Sequence, residues 1–205
     1  MTARAPEREP TSAIVERSGG SLPARAFGTV VHALLEELVR LPGVDTASSA
    51  VLAEVAGWGG RALAMLRANG LSRTEAEPQS TEVVRALHTV LQDATGRWVL
   101  GARVGAGTEV SWSTWLFDVV RSLRGDRIFR AGAEPGSAEE THLWIVDYKT
   151  ARHGSARLDE FLAQEKEKYA PQLESYAEVL RKLPGNVLPI RLALYYPLLP
   201  RLLWW

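Results

Sequence analysis

Val30, Val31, Leu34, Leu35, Leu38 and Leu41 recur at the three-and-four spacing of a helix that buries one face. That spacing predicts a helix from Pro23 to Leu41, ended by Pro42-Gly43. Residues 47–69 are alanine-rich, with Leu52, Val55, Leu63 and Leu66 as apolar positions, and predict a second helix. Gly57, Gly59 and Gly60 are its weak point, because glycine loses the most backbone freedom in a helix. A third helix is predicted from about Ser80 to Ala94, preceded by Pro78 and capped by Ser80 or Thr81.

The pattern then changes. Residues 108–117 have strand-forming composition. Val119 to Ala131 reads as strand or helix, since Arg121, Arg124, Arg127 and Arg130 recur every third position. Strand is favoured because Gly125-Asp126 would interrupt a helix. The Gly-, Pro- and Ser-containing stretch Gly132 to Glu140 reads as a hairpin turn into a strand at 141–149. A helix follows from about Leu158 to Lys182, with a restart left open at Pro171. Strands at 187–196 and 201–205 are joined by Pro197 to Pro200. The order α-α-α-β-β-β-α-β-β predicts an α/β domain with a helical N-terminal half, a mixed central sheet flanked by helices, and no internal repeat.

A chain of 205 residues suits one domain with a real core. The expected division is a flexible tail at 1–22 and a domain at 23–205, helical over about 23–105 and sheet-based over about 106–205. Twenty-four basic and twenty-four acidic residues cancel, so any basic footprint for a nucleic acid must be local. With no cysteine, disulfides, thiolate zinc sites and cysteine nucleophiles are excluded. No apolar signal core and no membrane-length stretch occurs, so the expectation is a cytoplasmic protein without a membrane partner. The apolar ending Leu202-Leu203-Trp204-Trp205 is expected either to be tucked into the sheet or to have had something after or beside it. A content of seven tryptophans, exposed-looking in sequence, points the same way.

The candidate chemistry lies in Trp144-Ile145-Val146-Asp147-Tyr148-Lys149-Thr150. Strand residues two apart share a side, so Asp147 and Lys149 project together and Tyr148 turns away. A carboxylate that can hold a cation, beside an ammonium that can steer a water, suits phosphodiester hydrolysis. The plain alternative is an exposed ion pair, which contributes little. Asp126 stands twenty-one positions earlier, room for two strands and a turn, and a hairpin would bring the acids together. Paired carboxylates repel, and a divalent cation relieves that repulsion. His32 lies among apolar neighbours with Glu36 one turn on, and by itself reads more readily as a core or boundary histidine than as a ligand. Glu109 opens the first strand as an edge charge or a supporting acid. Gln172 and Tyr176, four apart, share a helix face.

In order, Gly-Thr-x-x-His (Gly28 to His32), Gly125-Asp126, Val-Asp-Tyr-Lys-Thr (146–150) and Tyr-x-x-Gln-Leu-x-x-Tyr (169–176) closely resemble the RecB-like nuclease domain of the PD-(D/E)XK superfamily. The resemblance runs from about Ala24 to the C-terminus. It implies a restriction-endonuclease-like core and a metal-dependent DNA nuclease, exonuclease in type, linked to double-strand-break repair and recombination. It also implies Mg²⁺ (or Mn²⁺) as cofactor, held by His32, Asp126, Asp147 and the main-chain carbonyl of Tyr148. Lys149 would orient or help deprotonate the attacking water, making Asp126, Asp147 and Lys149 the catalytic set. Gln172 and Tyr176 would lie near the DNA path, with Glu109 and Arg152 as supporting or DNA-contacting residues. Arg121, Arg124, Arg127, Arg130 and His153 are further candidates for phosphate contacts.

One departure is visible: the family usually presents Gly-x-Ile-Asp at its second motif, whereas Asp126 follows Gly125 directly. No Gly-x-x-x-x-Gly-Lys-Ser/Thr loop occurs, so a helicase motor is absent from this sequence. The implied partners are DNA and a helicase module or subunit of an AddAB/RecBCD-like complex. The alternative is a non-catalytic DNA-binding or structural module, or a fragment, of such a complex.

Overall fold

The computed structural model describes residues 20–103, 105–116, 119–137, 139–153, 157–182 and 187–205, and for strand residues 109–116 and 119–124 the backbone alone. Five helices come first: α1 (Leu22–Val39), α2 (Ser49–Ala56), α3 (Gly59–Ala68), α4 (Arg73–Gln92) and α5 (Ala94–Leu100). Strands β1 (Gly107–Leu116), β2 (Val119–Ala131) and β3 (His142–Tyr148) follow, then α6 (Leu158–Lys182), β4 (Ile190–Tyr196) and β5 (Arg201–Trp204). The expected tail at 1–22 falls almost wholly outside the described residues.

The long helix expected over 47–69 is two helices, divided at the glycine-rich weak point. Ser48 caps the first, accepting from the Val51 N–H. The third expected helix starts earlier than its proline suggested. Ser72 and Glu75 form a reciprocal capping box that satisfies N-terminal donors and begins α4 at Arg73. Pro78 then lies inside the helix on its exposed side, where the carbonyl it leaves unpaired faces solvent rather than the core. Ser80 is no cap; its hydroxyl donates to the Glu77 carbonyl. The short α5 was not expected. Asp93 creates it by accepting from the N–H groups of Thr95 and Gly96. Helix α6 runs through Pro171 without a restart.

The sheet has the order β1-β2-β3-β4-β5, antiparallel except for the parallel β3–β4 pair that α6 connects. Side chains alternate between its two faces. Phe129, Trp144, Val146, Tyr148 and Tyr195 pack against α1–α5 in the larger core. Ile128, Ile145, Leu192, Leu194 and Tyr196 pack against Leu173, Tyr176, Ala177 and Leu180 of α6. This is an α/β fold with a five-stranded mixed sheet between two helical layers, consistent with a restriction-endonuclease-like core.

The chain's apolar ending is tucked in: β5 pairs with β4, and Trp205 and Leu192 exchange two backbone hydrogen bonds. Among the described side chains, the tryptophans are not a free surface either. Trp58 and Trp144 are buried, and Trp98, Trp204 and Trp205 are half-buried. Trp144 donates its indole N–H to the Gly132 carbonyl and packs edge-on to Trp98.

Candidate metal and nuclease site

The β2–β3 register pairs Arg127 with Val146; continued by one residue, it sets Asp126 opposite Asp147. Directly opposed residues in an antiparallel pair share a face, so the two acids converge on one side. Both side chains are buried. Asp126 follows Gly125 directly, yet it holds this position because the strand runs unbroken from Val119 to Ala131. Its Oδ2 accepts from the backbone N–H of Tyr148 at 2.8 Å.

Beyond the end of β3, Lys149 projects on the same side as Asp147. Its ammonium lies 2.6 Å from Asp147 Oδ2 and 3.7 Å from the centroid of the Tyr169 ring on α6. Its backbone N–H donates to the Tyr195 carbonyl at 2.8 Å, which extends the β3–β4 pairing by one residue. The contact to Asp147 is a tight ion pair, but its angles are not those of a hydrogen bond, so Asp147 Oδ2 is a buried oxygen without a well-formed donor. Tyr148 turns to the other face, buried against α1 with its ring edge-on to His32.

His32 reaches the acids from the opposite helical layer, its Nδ1 3.4 Å from Asp126 Oδ2. Gly28, one turn earlier, explains how α1 comes so close. A Cβ at that position would lie 3.1 Å from Thr150 Oγ1, just past the strand end. The glycine of the Gly-Thr-x-x-His stretch is therefore a contact surface for the Thr of Asp-Tyr-Lys-Thr.

Charge is unevenly distributed over this cluster. Burial raises the Asp147 carboxyl, the neighbouring Asp126 raises it further, and Lys149 offsets only part of this. Burial also opposes the charge on Asp126, but His32, the Tyr148 N–H and Lys149 outweigh it and hold its carboxyl below the usual range. His32 is the complement: burial disfavours its cation, and Asp126 reverses that, so its pKa is raised. One acid is thus stabilised as an anion and the other is strained as one.

The donor chemistry fits a hard divalent cation. Two buried carboxylates share one face, one of them carrying an oxygen without a proper donor, and such ions prefer oxygen ligands. Among the described residues, no three His, Asp or Glu side chains stand as a formed metal cage. The acids are instead engaged by the protein's own side chains, His32 on Asp126 and Lys149 on Asp147.

The other expected residues separate. Glu109 lies on β1 between Thr108, paired with Arg127, and Val110, paired with Gly125, so its backbone is level with Asp126; its side chain is outside the described residues. Gln172 donates from Nε2 to the Tyr176 hydroxyl at 2.6 Å, joining the two into a unit on the inner side of α6. Arg152 is exposed, 3.9 Å from Glu82 and over the Phe27 ring. His153 stacks on Phe161.

Arg127 is not a phosphate contact. It is buried and donates to the carbonyls of Val99, Leu100 and Gly101, closing the C-terminus of α5. Arg130 is exposed, and the side chains of Arg121 and Arg124 are outside the described residues. Tyr169, the first residue of the downstream motif, touches the lysine; in the sequence only its place in that motif signals it.

A mixed sheet carrying opposed acids on neighbouring strands, with a lysine two residues beyond the second acid, defines an α/β domain of the restriction-endonuclease-like kind. The chain belongs to the PD-(D/E)XK nuclease superfamily, whose family profile matches residues 9–201. Nucleases of this superfamily generally use divalent metals such as Mg²⁺. No curated protein matches the chain. Among the described residues, no helix is long and apolar enough to cross a membrane.

Proposed function

We propose that this protein is a metal-dependent deoxyribonuclease of the RecB-like type, acting as an exonuclease in DNA repair and recombination. The observation that carries the reading is the juxtaposition of Asp126, Asp147 and Lys149 at one strand end, within a superfamily of nucleases. Asp126 and Asp147 would hold Mg²⁺ or Mn²⁺, with His32 and the Tyr148 carbonyl as further ligands. Bound there, the ion supplies Lewis acidity and a more acidic water.

The chain's own groups do the rest. Tyr148 fixes the Asp126 carboxylate through its backbone N–H, so this acid is oriented before any substrate arrives. His32, tied to Asp126 from α1, sets the spacing between the helical layer and the strand end. Lys149 carries a positive charge beside the reacting phosphate, where it complements the charge that develops and can orient the attacking water. Gln172 and Tyr176, hydrogen-bonded to each other on α6, would lie along the DNA path, and exposed Arg152 would add a phosphate contact.

A helicase module or subunit is the proposed partner, in a cytoplasmic assembly. The acids and the lysine are all present, which favours catalysis over a purely structural role in such an assembly. The reading is tested with end-labelled linear DNA, single- and double-stranded, alongside covalently closed circles. Metal-dependent release of short products from linear substrates, with circles resistant, is the expected result. Cleavage of circles would contradict the exonuclease assignment, and no cleavage with Mg²⁺ or Mn²⁺ would contradict the nuclease reading.

A further inference from the structure

The Lys149 side chain has two supports, and only one is the acid beside it. Its ammonium lies 2.6 Å from Asp147 Oδ2 and 3.7 Å from the centre of the Tyr169 ring, close range for a cation over an aromatic face. The strand fixes only the lysine backbone. Four rotatable carbons follow, and an ammonium at their end is placed by what it touches.

If Asp147 engages a divalent cation, as the proposed function requires, its hold on Lys149 weakens and the two positive charges repel. The ring is the support that remains. Resting on that reading, we propose that Tyr169 is a positioning residue: its aromatic face holds the Lys149 ammonium at the end of β3 when Asp147 is occupied.

Several contacts fix the ring where this role needs it. Tyr169 lies on the sheet-facing side of α6, one turn before Gln172 and two before Tyr176. The N-terminal half of α6 is fastened to β4 on both sides of Tyr196. Phe161 packs edge-on to the Tyr196 ring, and the Tyr196 hydroxyl donates to Glu165 at 3.3 Å. Four residues past Glu165, Tyr169 is held one turn along the same face. The competing explanation is that Tyr169 merely fills space against the smaller core, a task any ring of similar size would perform. The two differ in electrostatics: a cation is attracted by the ring's negative face, whereas packing depends on shape alone.

The test compares the wild type with Tyr169→Phe, Tyr169→Leu and a protein carrying pentafluorophenylalanine at position 169, which keeps the shape and removes the negative face. In metal-free protein, NMR should find the Lys149 ε-methylene protons shifted upfield by the ring current in wild type and Tyr169→Phe, and near their ordinary position in Tyr169→Leu. In Mg²⁺-dependent cleavage, Tyr169→Phe should stay within about twofold of wild type. The leucine and pentafluoro variants should lose about tenfold in kcat, with KM changed less than about twofold.

A pentafluoro variant as active as Tyr169→Phe would overturn the inference, as would an unshifted Lys149 in the wild type. An unchanged kcat in Tyr169→Leu would do the same while leaving the nuclease reading intact. Absence of cleavage by every protein, wild type included, would instead remove the nuclease reading and this role with it.

Discussion

The backbone N–H of Tyr148 donates to Asp126 Oδ2 at 2.8 Å, so the residue between Asp147 and Lys149 is also the clamp on the acid of the neighbouring strand. The Asp-Tyr-Lys segment thus serves the site three ways: a carboxylate, a lysine and a backbone donor that orients the second carboxylate. Asp126→Ala would remove the acceptor for a buried N–H, which costs about 1–3 kcal/mol. Asp126→Asn retains an acceptor oxygen and should lose less stability, while both variants lose metal-dependent cleavage. Denaturant unfolding in EDTA measures the first difference and a cleavage assay the second.

Asp147 carries the opposite sign. Its carboxyl is raised by burial and by Asp126, so the anion is disfavoured in the folded, metal-free protein. A group whose folded pKa exceeds its unfolded value contributes stability while protonated and loses it as pH rises through the folded value. As pH rises through the interval between the unfolded and folded values, Asp147→Asn should therefore melt progressively higher than the wild type in EDTA. Added Mg²⁺ should raise the wild-type melting temperature through binding to the native state, and should leave the variant nearly unmoved. Thermal melts with and without Mg²⁺ read both effects.

Gly28 tests how closely α1 must approach. A Cβ there meets Thr150 Oγ1 at 3.1 Å, a contact the threonine can relieve by a small rotation. Gly28→Ala should consequently be tolerated, the tight contact being offset by up to about 1 kcal/mol of helix propensity. Gly28→Leu cannot be relieved that way and should push α1 from the strand end, taking His32 from Asp126. Metal-binding isotherms should weaken for the leucine variant and change little for alanine.

Arg127 and Arg152 should behave differently toward DNA. Arg127 holds three carbonyls at the end of α5, and Arg127→Met should destabilise the fold by about 2–4 kcal/mol through lost charge-assisted hydrogen bonds. Arg152 is exposed, three residues past Lys149. Arg152→Ala should leave stability unchanged within about 0.5 kcal/mol and reduce the salt-dependence slope of DNA binding by about 1. Chemical denaturation and binding titrations across salt concentrations distinguish the two residues.

The strands and long helices were legible because each carries a period: apolar residues every three or four in α1, and β-branched or aromatic runs bounded by Gly and Pro in β3 and β4. Two boundaries were misread for local reasons. The helix expected from about Ser80 had already begun seven residues earlier, at Arg73, where the Ser72–Glu75 box starts it. The seven-residue α5 is too short to show a period and owes its existence to Asp93.

At the site, the Asp-X-Lys spacing correctly placed Asp147 and Lys149 on one side and Tyr148 on the other, since strand alternation is local. The β2–β3 hairpin that opposes Asp126 to Asp147 was legible from the turn between them. What stayed hidden were distances between elements far apart in sequence. The approach of Tyr169 to Lys149 depends on how α6 packs, and the burial of Arg127 depends on where α5 ends. Neither is encoded in a spacing. The regular arginine series at 121, 124, 127 and 130 was misleading at Arg127 because a period of three says nothing about which neighbour a strand residue meets.

The most direct test of the central claim is the cleavage rate of end-labelled linear DNA by wild type and Asp147→Ala, measured at saturating Mg²⁺ with protein in excess. The wild type should release product, EDTA should abolish that release, and the variant should be at least about a hundredfold slower. Equal rates for the two proteins, or cleavage by the wild type that persists in EDTA, would contradict that claim.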